Sequence, residues 1–362
     1  MTEDREHGGP ALGAEGFPTT GAAALAHQFR NHFGHRDHLY GQLLADLADD
    51  LEAGGIVATI CRDRLDAPRS EAVSLRLLAG VFRVVLRGDA PALTRFYPNL
   101  GGTADPGDCW PALHPVLVAH ADELHDALDL PLQTNEVGRS ACLAAGLFEA
   151  VRRHGLARVR LLEPGASAGL NLRVDHYRIV GPGWSWGDPA SPLTIDTLAE
   201  GVQPTRVDVV QRRGCDLAPI DASTPEGARW LTSFVWPFDL ARHARLAAAL
   251  QVAAAYPVDV DEESAAQWLE RQLAEPADPG VLTVVWESIT RQYWPADESA
   301  RVDALVAAAR ARMPLAHVTM EGVPPAQVSG GFDIATHGPE LRVDGEVIAR
   351  SHHYGPPVLL VR

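Results

Sequence analysis

The segment Glu163-Pro164-Gly165-Ala166-Ser167-Ala168-Gly169-Leu170-Asn171 sets an acid at the end of an aliphatic run and follows it with a turn of small residues. Residues 159–162 are short and aliphatic, as a strand buried in a parallel sheet requires. Gly165, Ala166, Ser167, Ala168 and Gly169 leave the backbone open to a ligand, and glycine permits the positive φ angles of a sharp turn. Free N–H groups beyond such a turn attract polar or anionic atoms. The implied chemistry is nucleotide-type cofactor binding, and spacing narrows it. A dinucleotide turn needs Gly-x-Gly-x-x-Gly, but counted from Gly165 the second and third places hold Ser167 and Leu170. A triphosphate loop needs a lysine after its last glycine, and none stands near Gly169.

Three further clusters carry polar chemistry. Before the opening strand, Gln133-Thr134-Asn135-Glu136-Val137-Gly138-Arg139 leads into a predicted helix at 141–153. Thr134 or Asn135 can cap that helix, but capping does not explain Gln133, Glu136 and Arg139 together, so Thr134, Asn135 and Arg139 are taken as cofactor contacts and Glu136 as a proton acceptor. After the second predicted strand comes Asp216, whose two carboxylate oxygens can accept from both hydroxyls of a ribose; capping the next turn is the alternative for Asp216 and Asp221. At the end of the fourth predicted strand Glu287 and Ser288 face the crevice where ligands bind in doubly wound sheets, although Glu287 could equally pair with a neighbouring arginine. His176 and Tyr177 complete the base candidates.

The order acid-x-Gly-x-Ser-x-Gly resembles the first motif of class I S-adenosylmethionine-dependent methyltransferases, acid-x-Gly-x-Gly-x-Gly, through Glu163, Gly165 and Gly169, with Ser167 in the middle glycine place. That resemblance implies S-adenosylmethionine as cofactor, held by Glu163, Gly165, Ala166, Ser167, Gly169, Asn171, Asp216 and Ser288 together with Thr134, Asn135 and Arg139. Pro164 departs from the usual pattern by removing an N–H where the strand ends.

These residues must be positioned by two kinds of texture. Residues 1–20 read as a flexible leader and 21–155 as a helical lobe, with helical spacing at 22–51, 70–86 and 111–128 and a Gly/Pro-rich loop at 97–107 that could act as a lid. From 156 to 362 short aliphatic runs alternate with helices, the pattern of an α/β fold. Strands are predicted at 159–162, 207–211, 257–260, 282–286, 316–320, 331–336 and 357–361, and helices at 230–256, 264–273 and 300–313. Asp344-Gly345 marks a terminal hairpin. The expectation is a Rossmann-like, doubly wound, seven-stranded sheet of methyltransferase type. Residues 173–204, with Tyr177, Trp184 and Trp186, read as an insertion that covers the crevice or merely anchors a surface loop.

Composition limits the function. The 362 residues are 46% hydrophobic and 22% charged, and 31 basic against 47 acidic residues give a net charge of −16; such a surface repels polyanions, so nucleic acid is not expected as a partner. No apolar run of membrane-spanning length and no secretion signal is visible, which predicts a cytoplasmic protein. Cys61, Cys109, Cys142 and Cys215 stand singly, as small buried residues do. His27, His32, His35 and His38 lie at helical spacing but Gly34 interrupts them, and no metal is expected. The segments Gln133 to Arg139, Glu163 to Leu172, Gly214 to Asp221 and Val235-Trp236-Pro237 resemble the bacterial family known as domain of unknown function 2332, over roughly residues 25–340. The leading expectation is methyl transfer to a small-molecule acceptor; a non-catalytic module holding a nucleoside-like ligand or a protein partner, and a nicotinamide-dependent oxidoreductase, are the alternatives.

Overall fold

The computed structural model describes residues 20–33, 37–197, 201–322 and 333–361. The leader expected at 1–20 therefore lies outside the described residues except for Thr20, as do His35 and the first two residues of the strand expected at 331–336. The chain divides into two compact units, residues 1–133 with 229–243 and residues 134–228 with 244–362. Residues 134–155, read from sequence with the helical lobe, group with the sheet.

The first unit is helical. Its helices include Gly21–Phe33, Leu39–Glu52, Val73–Arg87, Trp110–Ala119 and Ala121–Asp126. Leu25, Phe29, Leu43, Leu47, Leu77, Phe82, Tyr97 and Leu117 meet in its core, so the apolar spacing at 22–51, 70–86 and 111–128 marks core-facing stripes as expected. The helix expected at 70–86 forms as Val73–Arg87, whereas those expected at 22–51, 111–128 and 230–256 are broken. At His120, φ −116° ends one helix before the next begins, and the helix expected at 230–256 becomes Pro225–Ser233 and Leu240–Ala255, because Pro237 between them cannot continue a helix. The loop at 97–107 holds two 3-10 turns, Pro98–Leu100 and Pro106–Asp108.

The second unit carries eleven strands among the described residues: β1 (Arg158–Pro164), β2 (Arg178–Gly181), β3 (Trp184–Gly187), β4 (Thr194–Asp196), β5 (Asp208–Asp216), β6 (Val260–Glu262), β7 (Val281–Ser288), β8 (Leu315–Glu321), β9 (Glu340–Val343), β10 (Glu346–His352) and β11 (Gly355–Leu360). Eight form one sheet in the order β11-β10-β9-β8-β7-β1-β5-β6. The stretch β8-β7-β1-β5-β6 is parallel throughout, and β9, β10 and β11 continue it as an antiparallel meander. The chain runs outward from β1 through β5 to β6, then crosses to the other side of β1 for β7 and β8, so strand order reverses between β1 and β7. The sheet thus has eight strands where seven were expected. The described part of the strand expected at 331–336 contains a short helix, Ile334–His337; the Asp344-Gly345 hairpin forms as expected, with both residues at positive φ.

Alternation along the buried strands sorts side chains to two faces. Leu162, Val285 and Leu315 face helices Ala265–Gln272 and Ala296–Arg310 through Trp268, Leu269, Val302 and Val306. Helix Ser140–His154 lies on the opposite face, so close to β8 that a Cβ on Gly146 would fall 2.4 Å from Val318 Cγ1. The insertion at 173–204 forms a separate sheet in the order β3-β2-β4. Its Trp184 and Trp186 meet Phe148 of that helix edge to face, with ring centroids 5.9 and 5.4 Å apart. Packing therefore accounts for the two tryptophans. No helix among the described residues is long and apolar enough to cross a membrane.

Candidate functional site

After β1 the chain turns through Gly165 at φ +74°, Ser167 at +55° and Gly169 at +63°. The serine in the middle glycine place thus adopts a glycine-like backbone, which costs a residue with a side chain about 1–2 kcal/mol. Its amide donates to Asp216 Oδ2 at 2.8 Å, and the Ala218 amide donates to Asp216 Oδ1 at 3.0 Å. The Ala166 amide donates to the Cys215 carbonyl at 2.9 Å. Together these bonds fasten the turn to the end of β5. Both glycines also have steric reasons to be glycine: a Cβ on Gly165 would fall 2.2 Å from Thr290 Oγ1, and one on Gly169 2.8 Å from Val258 Cγ2. Beyond the turn the chain forms the 3-10 segment Asn171–His176 rather than an α-helix. The free amides expected there are used internally, Gly169 N–H on the Ala166 carbonyl and Leu170 N–H on Asn135 Oδ1.

Asn135 serves this turn instead of capping the helix. Buried at φ +27°, it donates from Nδ2 to the Ala166 carbonyl at 3.1 Å and accepts the Leu170 amide at 3.0 Å. Glu136 caps the 3-10 turn Val137–Arg139 that leads into the helix: its Oε1 accepts the Gly138 amide at 3.1 Å and lies 3.4 Å from Arg245 Nη2. Thr134 is exposed. Arg139 donates to the Ser288 carbonyl at 3.1 Å and the His353 carbonyl at 3.0 Å, tying the segment to the end of β7. Ser140 Oγ donates to Asn171 Oδ1 at 2.7 Å.

Glu163, 2% exposed, sits among these groups. Burial pushes its carboxyl up to about 8, against Asn171, Arg139 and Trp286, which favour the charged form. Among the described residues its Oε2 and the Ser167 Oγ are buried without hydrogen-bond partners. Such atoms cost about 1–3 kcal/mol each when left unpaired.

The end of β7 holds a second acidic pair. Glu287 is fully buried and ion-paired with Arg291, while His317 Nε2 lies 2.8 Å from its Oε1. Burial alone would raise its pKa, but His317 and Arg291 outweigh that and hold the carboxyl below its ordinary value. Both Glu287 oxygens are therefore committed. The next residue but one, Ile289, has φ +50°, a conformation that strongly disfavours β-branched side chains. This bend sends the Thr290 and Arg291 amides to Glu321 Oε1 at 3.0 and 3.4 Å. Glu321 ends β8, and burial, helped by nearby Glu287, pushes its carboxyl up to about 7 against the Thr290, Arg291 and Arg139 groups that favour charge. Sequence reasoning missed Glu321 and Thr290. The rule that ligands meet the carboxyl ends of parallel strands, applied to β8, would have found the former.

The remaining base candidates, Tyr177 and His176, each contact other parts of the chain. Tyr177 is fully buried and donates from its hydroxyl to the Leu170 carbonyl at 2.5 Å; burial raises its pKa above the ordinary value. The His176 ring stacks on Tyr256 with centroids 3.7 Å apart, and burial lowers its pKa. Elsewhere, His38 Nδ1 accepts the Gly41 amide at 3.0 Å to cap a helix, and all four cysteines are buried and unpaired. No group of three or more metal-ligating side chains occurs among the described residues.

The chain belongs to the family described as an uncharacterized protein conserved in bacteria, domain of unknown function 2332, whose model matches residues 22–359. No curated protein and no solved structure matches it.

Proposed function

We propose that this family member is a cytoplasmic S-adenosylmethionine-dependent methyltransferase acting on a small molecule, with a Rossmann-like parallel core of methyltransferase type. The observation that carries the reading is the β1 turn: acid-x-Gly-x-Ser-x-Gly with positive φ at Gly165, Ser167 and Gly169, its central amide bound by Asp216 from the neighbouring parallel strand. The turn also lies beside the reversal of strand order between β1 and β7, where doubly wound sheets take their ligands.

The residues fit the cofactor chemically. Glu163 Oε2 and Ser167 Oγ are buried acceptors without donors, and an ammonium or hydroxyl group would satisfy them. Asp216 accepts the Ser167 and Ala218 amides, and a carboxylate is the acceptor type that suits ribose hydroxyls. When bound, S-adenosylmethionine supplies a methyl group on a positively charged sulfur. The chain then has to orient the acceptor and remove its proton, mainly a positioning task. Glu136, His176, Tyr177 and Glu287 are each engaged as described above, and Glu321 becomes the proton acceptor. Its pKa near 7 is matched to general-base work at neutral pH, and among the described residues its hydrogen bonds fall on Oε1.

One observation favours the non-catalytic module: the loop amides are satisfied within the chain by Asp216, Asn135 and Ala166, so the turn holds its shape without a ligand. Native mass spectrometry of the purified protein, followed by methyl transfer to a cell-extract metabolite pool, separates the two. Retained S-adenosylmethionine with methyl transfer that Glu321→Gln abolishes supports the enzyme. Retained cofactor with no transfer supports the module, and no retained nucleoside counts against both.

A further inference from the structure

The amino ends of the same strands border an open cavity of about 560 Å³, lined in part by Arg158, Arg160, Gln211, Gln272, Glu275 and Asp278. It lies at the opposite end of β1 from Glu163 and its size is that of a metabolite pocket. Arg158 and Arg160 are two apart on β1, so their side chains share a face, and Gln211 stands opposite Arg160 in the register.

What distinguishes this cavity is unpaired positive charge. Arg160 is 7% exposed and makes no ion pair among the described residues. Its guanidinium reaches only neutral partners: the Gln272 carbonyl at 2.7 Å, Gln272 Oε1 at 3.1 Å and the Glu275 carbonyl at 3.5 Å. Its Nε has no partner. The carbonyls at the end of helix Ala265–Gln272 offset part of the charge, yet a buried guanidinium without a carboxylate remains costly. Arg158 is exposed, and its side chain makes neither an ion pair nor a hydrogen bond among the described residues. In a chain with 47 acidic and 31 basic residues, two adjacent arginines without an acid are conspicuous. Arg271, the third arginine of the lining, is already paired with Glu263 and Asp261. Glu275 and Asp278 also line the cavity, but among the described residues neither is ion-paired with Arg158, Arg160 or Arg271.

We propose that this cavity is a binding site for a small oxyanion-bearing metabolite, its phosphate or carboxylate group held by Arg158 and Arg160 with amide donors from Gln211 and Gln272. The site is separate from the turn after β1 and does not depend on the cofactor reading. Planar guanidinium groups match both oxyanions by paired hydrogen bonds, and the surrounding net negative charge makes the arginine pair a local exception. The test is thermal-shift titration of the full chain with inorganic phosphate and, separately, citrate, at ionic strength held constant with chloride. Saturable stabilisation by either anion is expected, and which one saturates identifies the group. Arg158→Glu, at an exposed position, should weaken it at least about tenfold, and Gln211→Glu should act in the same direction. Absence of saturation with both anions, or full retention in both variants, overturns the proposal.

Discussion

The Ser167 amide donates to Asp216 Oδ2 at 2.8 Å, so one carboxylate joins the turn after β1 to the end of β5. Asp216 also accepts the Ala218 amide and thereby orders its own loop. A residue read from sequence as a ribose ligand is at the same time the fastening of the turn. Binding and stability should respond together when it is changed.

Asp216→Ala removes acceptors from two backbone amides and should cost about 1–3 kcal/mol of stability. Urea unfolding measures that loss. Calorimetry on the folded fraction should show S-adenosylmethionine binding weakened by about tenfold or more, the loss of a charged hydrogen-bond acceptor, with Asp216→Asn intermediate. A variant as stable as the parent would mean that the two amides find other acceptors.

Ser167→Gly should leave stability unchanged or raise it by up to about 1 kcal/mol, since glycine relieves the positive φ but enlarges the unfolded ensemble. Cofactor affinity should stay within a few-fold of the parent. A destabilisation well beyond that range would show that the Ser167 hydroxyl has a partner essential to the fold.

Asn135 lies at φ +27° and holds the turn by two hydrogen bonds. Asn135→Ala should destabilise by about 2–4 kcal/mol, because two buried backbone groups lose their partners. Asn135→Gly loses the same bonds but relieves the backbone, and should recover about 1 kcal/mol of that loss. Equal unfolding midpoints for the two variants would contradict the strain argument.

Periodicity made the parallel core legible, because strands such as β1 and β7 are buried along nearly their whole length and read as short, mostly aliphatic runs. Asp344-Gly345 was legible for the same local reason: its turn type requires those residues. The eighth strand was not, since the described part of 331–336 folds as a short helix and the meander is decided by tertiary pairing. Within the site, the turn and Asp216 could be read from spacing. The clamp by Asn135 could not, because helix capping and loop clamping use the same residue type, and only the fold brings Asn135 within 3.1 Å of the Ala166 carbonyl. Glu321 was legible only as an acid at the carboxyl end of β8; the Ile289 bend that turns two amides onto it is announced by no local pattern.

Glu163 predicts a pH dependence. Burial raises its pKa from the ordinary 4.5 to about 8, so the folded chain holds the proton more tightly than the unfolded chain. The stabilisation is full below pH 4.5 and is lost as pH rises toward 8, with a slope of at most about 1.4 kcal/mol per pH unit. Glu163→Gln stays neutral and should be more stable than the parent at pH 8, with the advantage shrinking toward pH 5. Parallel stability profiles for parent and variant would place the Glu163 carboxyl near its ordinary value.

The central claim is that the turn from Glu163 to Gly169 binds S-adenosylmethionine, and titration calorimetry at pH 7 in buffers of differing ionisation enthalpy tests it most directly. The account predicts saturable binding with release of a proton from Glu163 as the cationic ligand favours its charged form, and loss of that release in Glu163→Gln. No saturable heat with S-adenosylmethionine or its demethylated product would contradict it.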